Sequence, residues 1–584
     1  MMKEIEYKWN YMNNNHPLPG VYHSSIEQIL MLKGIETIEE MDEFLSEKPV
    51  KTYNPYTLRH MDEAVHRIQQ AINNNEKIVF YGDYDVDGIT SVALLIDFFF
   101  KITPNIDYYI PMRKGEGYGL NKEAMDEVKN EYGADLMITV DCGISALEEI
   151  AYAKNLGMDV IVTDHHTPGD QVPDCLVINP KHPECDYPYK ELCGCAVVFK
   201  LAQALQLSLN LPKSNLNRLL DLVAMATICD VVPLTDENRT LVKYGLRMIN
   251  RKQRTGLRVL LEKIGMDEKE INAGHIGFMI GPHFNASGRM DDASLGVRLL
   301  MTQNEATASK IADILVDLNK ERRVIQDQGL KKCENLVESQ FSEDLFLTVE
   351  APNLHEGVIG IIAGRLRDLY YRPVIVLTPS EEPGIYTGSG RSVNGFHLFN
   401  ELSEIGNLME KFGGHANACG LKIRYENIDL LRKKLDNRIR ECLKNEPELL
   451  MKKINIYAEI QSDNLTEEFI DQLRRLEPFG MGNEKPHFVM KNLSLCNDSR
   501  VFPLGRDKQH IKICKFLHQE ETINESIEII GFGYTKEAKK VIDRSESFDL
   551  VFFPQINEWQ GKKTTQLLIS DMKPAKKQIV KKCI

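Results

Sequence analysis

Apolar residues follow two different spacings along the first half of the chain. From about residue 60, short apolar runs alternate with longer stretches in which apolar positions recur at helical spacing. The short runs predict buried strands at 78–81, 106–110, 136–140 and 160–162, and the longer stretches predict helices between them. Strands that alternate with helices are typical of a doubly wound parallel sheet, so the sequence predicts an α/β domain here.

The remainder of the chain divides by the same criteria. The first fifty residues are polar and contain only short helical patterns. A charged helical stretch from about Ala306 to Glu338 predicts a long connecting helix, and a second, smaller α/β pattern runs from Leu345 to about Leu443. β-rich runs such as Ile454–Ile460 follow. We therefore predict five segments, at 1–55, 56–300, 301–342, 343–448 and 449–575.

Composition and charge add one local feature. The 584 residues carry a net charge of −14, and 43% of them are hydrophobic, an ordinary share for a folded globular protein. From Arg500 to Ile584, however, 16 Lys and Arg stand against 11 Asp and Glu, so this basic end is suited to contact with a polyanion.

The sequence also indicates where the protein is located. No apolar run approaches the ~18–20 residues of a membrane helix. The N-terminus has charges where a signal peptide would need its apolar core. The 12 Cys include no CxxC pair, so we expect reduced thiols in a cytoplasmic protein rather than zinc sites or disulfides.

Three carboxylates stand at alternate positions between a predicted strand and a predicted helix. Asp83, Asp85 and Asp87 would lie at the carboxyl edge of the sheet, where open α/β sheets bind ligands. Carboxylates this close repel one another unless a cation binds among them. The pattern is typical of a metal site or of a solvated acidic turn, and it lacks the Glu that closes an EF-hand loop.

Two further strands end in side chains of the same chemistry. Asp141 and the tripeptide Asp164-His165-His166 each directly follow a predicted strand, and Asp230 follows an apolar run further along. Parallel strands would bring these side chains to one edge of the sheet. Carboxylates with imidazole favour Mn²⁺ or Mg²⁺ over structural zinc. The group has enough ligands for two ions, which at ~3.5–4 Å apart stabilise the charge of a phosphoryl transfer.

In order and spacing, these segments resemble the four motifs of the DHH phosphoesterase family, which is named after the tripeptide at 164–166. The resemblance implies that the metal ligands are Asp85, Asp87, Asp141, His165 and Asp230. It implies two further catalytic residues, Asp83 at the leading acidic position and His166, which in the family faces the phosphate or the bridging water. Cys193-Gly-Cys195 and Cys419 fall inside matching segments, and we interpret them as packing variation.

Further segments resemble the branch of this family that degrades single-stranded DNA. They are the segments 281–289, 355–365, 389–396, 413–420 and 478–483. The resemblance implies a DHH catalytic domain, a connecting helix, a smaller α/β DHH-associated domain and a C-terminal β-barrel OB-fold. It also implies a 5′-to-3′ exonuclease of DNA recombination and repair. Single-stranded DNA would be its partner, a helicase and a single-strand-binding protein are candidate partners, and we expect a monomer without membrane association.

Candidate substrate-binding residues lie in glycine-rich segments of the second half. Arg289, Ser389 and Arg391 stand where the backbone can approach a phosphate and Arg can bind it through two hydrogen bonds. Each is also consistent with a turn and a solvated side chain, and for Arg289 alone that alternative is favoured. Gly414 and His415 belong to the loop that the resemblance assigns to substrate binding. Without it, His415 is equally consistent with a histidine that caps the backbone.

The aromatic residues of the C-terminal segment have two interpretations. They are Phe479, Phe488, Phe502 and Trp559, and they stand among basic residues. OB-folds bind single strands by stacking bases on aromatic rings and by contacting the backbone with positive charge. A barrel must first fill its interior, so we expect most of these rings in the core.

Two other functions stay open on the sequence alone. A phosphodiesterase of the same family that acts on short oligonucleotides or cyclic dinucleotides needs only the two catalytic lobes, and the segment after about residue 450 argues against it. A non-catalytic replication scaffold would have lost metal-ligand positions, and all of these positions are filled here.

Overall fold

The computed structural model describes residues 5–13, 16–111, 119–290, 292–505, 507–522, 526–559 and 561–575. They belong to two units. The first comprises Lys48–Leu449 and Pro478–Asn483. The second comprises the described residues of Glu4–Glu47, Leu450–Glu477 and Glu484–Ile584. Among the helices described, none is both long and apolar enough to cross a lipid bilayer.

A parallel sheet lies at the centre of the first unit. Its five strands, in spatial order, are Ile106–Tyr109, Ile78–Gly82, Leu136–Val140, Asp159–Thr163 and Leu176–Ile178. The second and third of these are buried along their whole length, because helices cover both faces of the sheet. In chain order the arrangement is 2-1-3-4-5, so the strand order reverses between the first and third strands. Sheets of this order bind ligands at the reversal, beyond the carboxyl ends of the strands.

Two hydrophobic clusters hold the helices against the two faces of this sheet. The larger contains most of the helix Val86–Phe99, which is apolar around nearly its whole circumference and is correspondingly buried. The helices of this domain are Met61–Asn74, Val86–Phe99, Lys122–Asn130, Leu147–Asn155, Gly194–Ser208, Ser214–Asn217, Leu220–Cys229, Asp236–Asn250, Thr255–Lys263, Ala273–His275, Gly281–Met290 and Ser294–Met301, with a π-helical turn at Ile276–Ile280.

The predicted connecting helix is present as Glu305–Gln340. Its 36 residues span roughly 54 Å at 1.5 Å per residue. Leu315 in its first half is buried in the cluster of the parallel sheet, and Val337 near its end is buried in the core of the next domain. At Gly329 a Cβ would lie 2.7 Å from the side chain of Ile362, so glycine lets a neighbouring helix approach closely.

The smaller α/β domain has a mixed sheet. Its strands, in spatial order, are Met409–His415, Ala418–Arg424, Ile385–Arg391, Val374–Pro379 and Leu347–Glu350. The last two are parallel and the other neighbours are antiparallel. The helices of this domain are Glu356–Tyr370, Leu398–Ser403 and Ile428–Asn445.

The second unit contains the predicted β-barrel. Its strands are Tyr7–Tyr11, Lys452–Glu459, His487–Leu504, His510–His518, Glu521–Thr522, Ile527–Gly531, Ser547–Trp559 and Lys562–Pro574. Five of them close into a barrel, because His487–Leu504 pairs with Ser547–Trp559 on one side and with His510–His518 on the other. The helices are Ser24–Leu32, Ile38–Leu45, Glu467–Arg475 and Thr535–Arg544.

The N-terminal segment contains a strand as well as the predicted helices. Tyr7–Tyr11 pairs in parallel with Lys452–Glu459. Trp9 holds it there, because its Nε1 donates to Asp571 Oδ2 at 2.6 Å and Lys573 Nζ lies 4.6 Å from the ring centroid. These partners are more than 400 residues away in the sequence, so local periodicity could not reveal the strand.

Candidate metal centre

The seven predicted metal-site and catalytic side chains meet at the carboxyl edge of the parallel sheet. Asp83, Asp85 and Asp87 follow the strand Ile78–Gly82, Asp141 follows Leu136–Val140, His165 and His166 follow Asp159–Thr163, and Asp230 ends the helix Leu220–Cys229. Three overlapping groups place one possible ligand atom of each member within 4.8 Å of the others. They are Asp83–Asp85–Asp141, Asp87–His165–Asp230 and Asp141–His165–His166.

His165 occupies the middle of this cluster. Its Nε2 lies 3.1 Å from Asp141 Oδ1, 3.6 Å from Asp230 Oδ2 and 3.9 Å from Asp87 Oδ2. The imidazole and the Asp87 and Asp141 carboxylates are buried, and Asp230 is partly buried. One ring nitrogen therefore faces three carboxylate oxygens in a space largely shielded from bulk water.

Asp87 is held by the start of a helix on another part of the chain. The backbone N–H groups of Gly194 and Cys195 donate to its two carboxylate oxygens at 2.6 and 2.7 Å. They open the helix Gly194–Ser208, whose N-terminal dipole favours a negative charge. A Cβ on Gly194 would lie 2.7 Å from Asp141 Cβ. This segment therefore contacts two members of the site through its backbone and Gly194, while the Cys193 and Cys195 side chains are buried in the hydrophobic core.

Asp85 shapes the first motif as well as belonging to the site. Its Oδ1 accepts from the N–H groups of Asp87 at 2.9 Å and Gly88 at 3.2 Å, and so caps the helix Val86–Phe99. A Cβ on Gly88 would lie 2.3 Å from the carbonyl oxygen of Asp83. Glycine at 88 therefore permits the tight turn that brings three carboxylates to one place.

Asp164 orients the two histidines without belonging to the cluster itself. Its Oδ1 accepts from the His166 backbone N–H at 3.0 Å and lies 2.8 Å from His166 Nδ1, and its Oδ2 accepts from Ile144 N at 2.9 Å. Asn179 Nδ2 donates to the His166 carbonyl oxygen at 2.9 Å. The DHH tripeptide is thereby fixed from both sides.

Burial and crowding shift the protonation of the site. Burial, with the charge of Asp85, raises the pKa of Asp87 to about 7, and burial with Asp87 and Asp85 raises the pKa of Asp230 to about 9. Burial also raises the pKa of Asp141 well above its usual range. The three raised pKa values mean that these carboxyl groups do not all ionise at once when no cation is present.

The histidines shift in opposite directions. Burial, with the neighbouring His166, lowers the pKa of His165 to about 3, so this imidazole is neutral at physiological pH and can act as a ligand. Burial lowers the pKa of His166 as well, but the hydrogen bond and charge of Asp164 outweigh it and raise that pKa to about 9. His166 is therefore cationic near neutral pH.

The donor set fits Mn²⁺ or Mg²⁺. Several carboxylates with a neutral imidazole form an oxygen-rich site without thiolates, which suits these ions. Asp141 Oδ1 and Asp230 Oδ2 are buried and accept no hydrogen bond within the part of the chain that the structure describes. A buried carboxylate oxygen that accepts no hydrogen bond needs another partner, and a bound cation supplies one.

The predicted substrate residues form a second group on the smaller domain. Arg391 Nη1 donates to Ser389 Oγ at 3.1 Å and to the Gly390 carbonyl at 2.7 Å. Both side chains lie against Gly360, where a Cβ would be 3.0 Å from Ser389 Oγ and from Arg391 Nη2. Burial, followed by the charge of Arg367, lowers the pKa of Arg391. The Arg391 guanidinium is thus held by the Ser389 hydroxyl, by the Gly390 carbonyl and by close packing against Gly360.

Gly414 and His415 lie on the same sheet as this pair. His415 is exposed and stands opposite Ala418, which in turn stands opposite Arg391. His415 and Arg391 are therefore aligned across three strands, roughly 10 Å apart at the usual strand spacing. A Cβ on Gly414, whose φ is +140°, would lie 2.3 Å from the Ala418 carbonyl oxygen, so the turn requires glycine.

Arg289 connects the two groups. Its Nη1 donates to the Gly357 carbonyl at 3.0 Å, at the start of the helix Glu356–Tyr370 of the smaller domain. One residue earlier, a Cβ on Gly288 would lie 2.2 Å from the Tyr84 carbonyl oxygen in the first motif. The helix Gly281–Met290 therefore touches the carboxylate loop at one point and the smaller domain at the next.

Sequence reasoning missed several residues that position the site. Gly194 and Cys195 bind Asp87 through their backbone, and no side-chain pattern signals such contacts. Asn285 accepts from the backbone N–H of Val86 at 3.3 Å, and Asn179 binds the DHH tripeptide. The position of Asn179 directly after the fifth strand could have revealed it, because that strand ends at the same sheet edge.

The raised carboxylate pKa values predict how the metal-free protein responds to pH. The folded-state pKa values of Asp87 (about 7) and Asp230 (about 9) lie above their unfolded values. Their contribution to stability is full below the unfolded pKa and is lost as pH rises through the folded one. Protein treated with EDTA should therefore melt at a lower temperature at about pH 9 than at about pH 6.5, and saturating Mg²⁺ should remove most of this difference. A melting temperature of metal-free protein that rises over this range would contradict the prediction.

Replacing one carboxylate separates a metal role from a structural one. Asp141→Asn should leave the metal-free melting temperature unchanged or higher, because it relieves repulsion. Mn²⁺ affinity in calorimetry should fall by more than the ~10–100-fold that loss of an outer-sphere partner costs. Asp159→Asn is the matched control, since Asp159 lies at the opposite end of the neighbouring strand in an exposed ion pair with Arg67. A large fall in melting temperature with unchanged Mn²⁺ affinity would remove Asp141 from the site.

Three family models match successive parts of the chain. The DHH family N-terminal domain matches residues 77–227, the DHHA1 domain matches 344–441 and the RecJ OB domain matches 456–571. The first covers the parallel sheet with most of the candidate ligands, the second covers the smaller α/β domain, and the third covers the barrel. The predicted succession of domain types is thereby confirmed.

Curated relatives match nearly the full length of the chain. The single-stranded-DNA-specific exonuclease RecJ of Bacillus subtilis is 39% identical over 549 residues, which cover 94% of this chain and 67% of that protein. RecJ of Salmonella typhimurium is 34% identical, with 95% and 97% covered. RecJ of Escherichia coli is 32% identical, with 98% and 100% covered.

Solved structures agree with these relatives. RecJ of Thermus thermophilus in complex with Mn²⁺ superposes with a TM-score of 0.80 at 25% identity, covering 98% of this chain and 80% of that one. An exonuclease RecJ bound to manganese has a TM-score of 0.56 at 32% identity, with 65% and 94% covered. By sequence, domain content and fold, the chain belongs to the RecJ family.

Proposed function

We propose that the protein is a metal-dependent exonuclease that hydrolyses phosphodiester bonds of single-stranded DNA in the 5′-to-3′ direction. The observation that carries this proposal is His165 Nε2 facing Asp87, Asp141 and Asp230 at the reversal of the parallel sheet. The curated relatives named above are single-stranded-DNA-specific exonucleases. The ligand types support Mn²⁺ or Mg²⁺, and the manganese-bound RecJ structures support Mn²⁺; we propose two ions.

The side chains divide the chemistry between them. Bound metal ions would neutralise the carboxylates and stabilise negative charge on the scissile phosphate. In this proposal Asp85, Asp87, Asp141, His165 and Asp230 hold the ions. Asp83 supports the same cluster. His166, kept cationic and oriented by Asp164, can donate a hydrogen bond to a phosphate oxygen as charge develops there.

Ser389 and Arg391 are the candidates for recognising the 5′ end. An exonuclease must distinguish a terminus from an internal phosphate, and a terminal phosphate carries more charge and more free oxygens. Arg391 has its guanidinium held against Ser389 and Gly360, which preorganises it for two hydrogen bonds to one phosphate. Gly414 and His415 on the same sheet are suited to contact the next part of the strand. Arg289, which donates to the Gly357 carbonyl, is the second and weaker candidate.

The OB domain supplies a second contact with DNA in this proposal. Phe488 is fully buried in the barrel, whereas Phe502 is 42% exposed. Phe479 is half-buried, and the Trp559 side chain lies outside the described residues. Phe502 stands opposite Lys512 on the next strand, two residues from the exposed Arg500. An exposed aromatic ring with basic residues nearby is suited to a stacked base and its flanking phosphates. A family member acting only on dinucleotides would not need this surface.

The biological setting is also part of the proposal. The family resemblance supports a role in DNA recombination and repair, with a helicase and a single-strand-binding protein as partners. We further propose that the protein acts as a monomer in the cytoplasm. Sedimentation velocity tests the monomeric state, and pull-down with purified helicase and single-strand-binding protein tests the two partners.

If Arg391 binds the 5′ phosphate, the effect of its loss on the degradation rate should depend on the group at the 5′ end of the DNA. Arg391→Ala should slow degradation of 5′-phosphorylated single strands by about 10- to 100-fold, the range of a charge-assisted hydrogen-bond pair, and should slow 5′-hydroxyl strands less. Rates are measured with 5′- and 3′-labelled strands and Mn²⁺. Arg424→Ala is the matched control, because Arg424 ends a neighbouring strand of the same sheet and pairs with exposed Glu410. Equal losses on both substrates would reassign Arg391 to general backbone contact.

The barrel surface predicts a separable effect on affinity. Phe502→Ala should weaken binding of long single strands by roughly 5-fold or more, the cost of one lost stacking contact. Arg500→Ala should make the salt dependence of binding shallower by about 0.7 in slope. Cleavage of very short oligonucleotides should be unchanged in both. Phe100→Ala, at another exposed phenylalanine, is the control. If affinity and salt slope stay unchanged in both variants, the strand-binding surface lies elsewhere.

A further inference from the structure

The segment Pro478–Asn483 forms a closed turn that belongs to the first unit. The residues on both sides of it along the chain belong to the second unit. Gly480 N donates to the Asn483 carbonyl at 3.0 Å and Asn483 N donates back to the Gly480 carbonyl at 3.1 Å. Asn483 is buried, and its Nδ2 donates to the Pro478 carbonyl at 2.8 Å. The turn is thus fixed by its own hydrogen bonds.

This turn packs on the loop that directly follows Asp230. Leu234 N donates to the Met481 carbonyl at 2.8 Å. A Cβ on Gly480 would lie 2.7 Å from Leu234 Cδ1. Gly482 has a φ of +69°, and a Cβ there would lie 3.2 Å from Pro233 Cβ. The positive φ at 482 favours glycine, and a methyl group at 480 would have to displace the buried Leu234 side chain, so the turn and the loop fit each other closely.

The loop is held from its other side as well. The Pro233 carbonyl accepts from Tyr189 Oη at 3.1 Å and from Asn238 Nδ2 at 2.9 Å. Val231, the residue after Asp230, has a φ of 59°, a conformation that is unfavourable for a β-branched residue. Such a backbone persists only when its surroundings hold it in place. The turn and the two side chains hold the same loop two and three residues further along, at Pro233 and Leu234.

Asp230 is the candidate ligand that depends most on such support. The other members follow strands or are fixed by backbone N–H groups, whereas Asp230 lies at the end of the helix Leu220–Cys229 and leads directly into the strained loop. Its buried Oδ2 lies 3.6 Å from His165 Nε2. A small movement of the loop would therefore move Asp230 relative to the rest of the cluster.

We propose that the turn Pro478–Asn483 is a positioning element for Asp230. The affinity of the centre for metal then depends on this turn, which is flanked along the chain by residues of the second unit. In this proposal Gly480 and Gly482 act through the loop that they contact at Leu234, Pro233 and Thr235. The inference rests on the proposed role of Asp230 as a metal ligand.

The test uses the full-length protein and Mn²⁺ alone as the probe. Gly480→Ala places a methyl group against Leu234 and should weaken Mn²⁺ binding by about 10-fold, the effect of losing support for a ligand. Adding Leu234→Ala removes the two side-chain atoms that the methyl group would meet, so the double variant should recover much of the affinity. Binding is followed by titration calorimetry and by the electron paramagnetic resonance of free Mn²⁺. Circular dichroism and melting of the metal-free protein establish folding.

Two further variants complete the experiment. Gly274→Ala is the matched control, because a Cβ there would meet only Asn272 Oδ1 at an ordinary 3.4 Å, and its affinity should equal that of the wild type. Asn483→Ala loosens the turn without a clash and should also weaken Mn²⁺ binding, so the test does not depend on Gly480→Ala folding. Activity should return at saturating Mn²⁺ in both turn variants.

The outcomes separate this inference from the proposed function. Folded Gly480→Ala and Asn483→Ala proteins with wild-type Mn²⁺ affinity would overturn the positioning role. A double variant no better than Gly480→Ala would also overturn it, since the effect would not pass through Leu234. If Asp230→Asn binds Mn²⁺ as tightly as the wild type, the ligand assignment in the proposed function fails instead, whatever the turn variants do.

Discussion

Repulsion among buried carboxylates at one edge of the parallel sheet is the constraint around which the catalytic domain is built. Burial and mutual charge raise the pKa values of Asp87, Asp141 and Asp230, so their ionised forms are costly without a cation. The fold opposes this cost with backbone dipoles. Two N–H groups at a helix start bind Asp87, and the cap of the next helix uses Asp85. A site held in this way stays assembled while keeping its oxygens directed toward a metal.

The same constraint accounts for the arrangement of the two lobes. A cluster that binds cations also attracts phosphate once the ions are in place, but it does not distinguish one phosphate from another. That distinction falls to the smaller domain in our proposal, where Ser389 and Gly360 hold the Arg391 guanidinium in position. The helix Gly281–Met290 joins the two, because Gly288 packs on the carboxylate loop and Arg289 binds the smaller domain.

The barrel and the turn Pro478–Asn483 extend this division of roles. The barrel fills its interior with rings such as Phe488 and leaves Phe502 exposed beside basic residues, and in our proposal this exposed surface contacts DNA. The turn reaches the loop behind Asp230 through close contacts of Gly480 and Gly482 with Leu234 and Pro233. Our proposal thus assigns metal binding to the first unit and a contact with single-stranded DNA to the second. The turn belongs to the first unit, although the residues on both sides of it along the chain belong to the second.

The sequence by itself determined the α/β alternation, the β-rich character of the C-terminal segment and the residues that meet at the candidate metal centre, whereas the barrel was implied by the family resemblance. It could do so because buried strands need continuous apolar runs, and because residues that follow parallel strands must meet at one edge of the sheet. Asp83, Asp85, Asp87, Asp141, His165 and His166 are all found from this rule. The tertiary structure alone decided which groups support them. Gly194 lies 107 residues from Asp87, Trp9 lies 562 from Asp571, and Met481 contacts the loop after Asp230. These contacts are made by backbone atoms or by single distant side chains, so they leave no periodicity or spacing in the sequence, and only the folded chain brings them together.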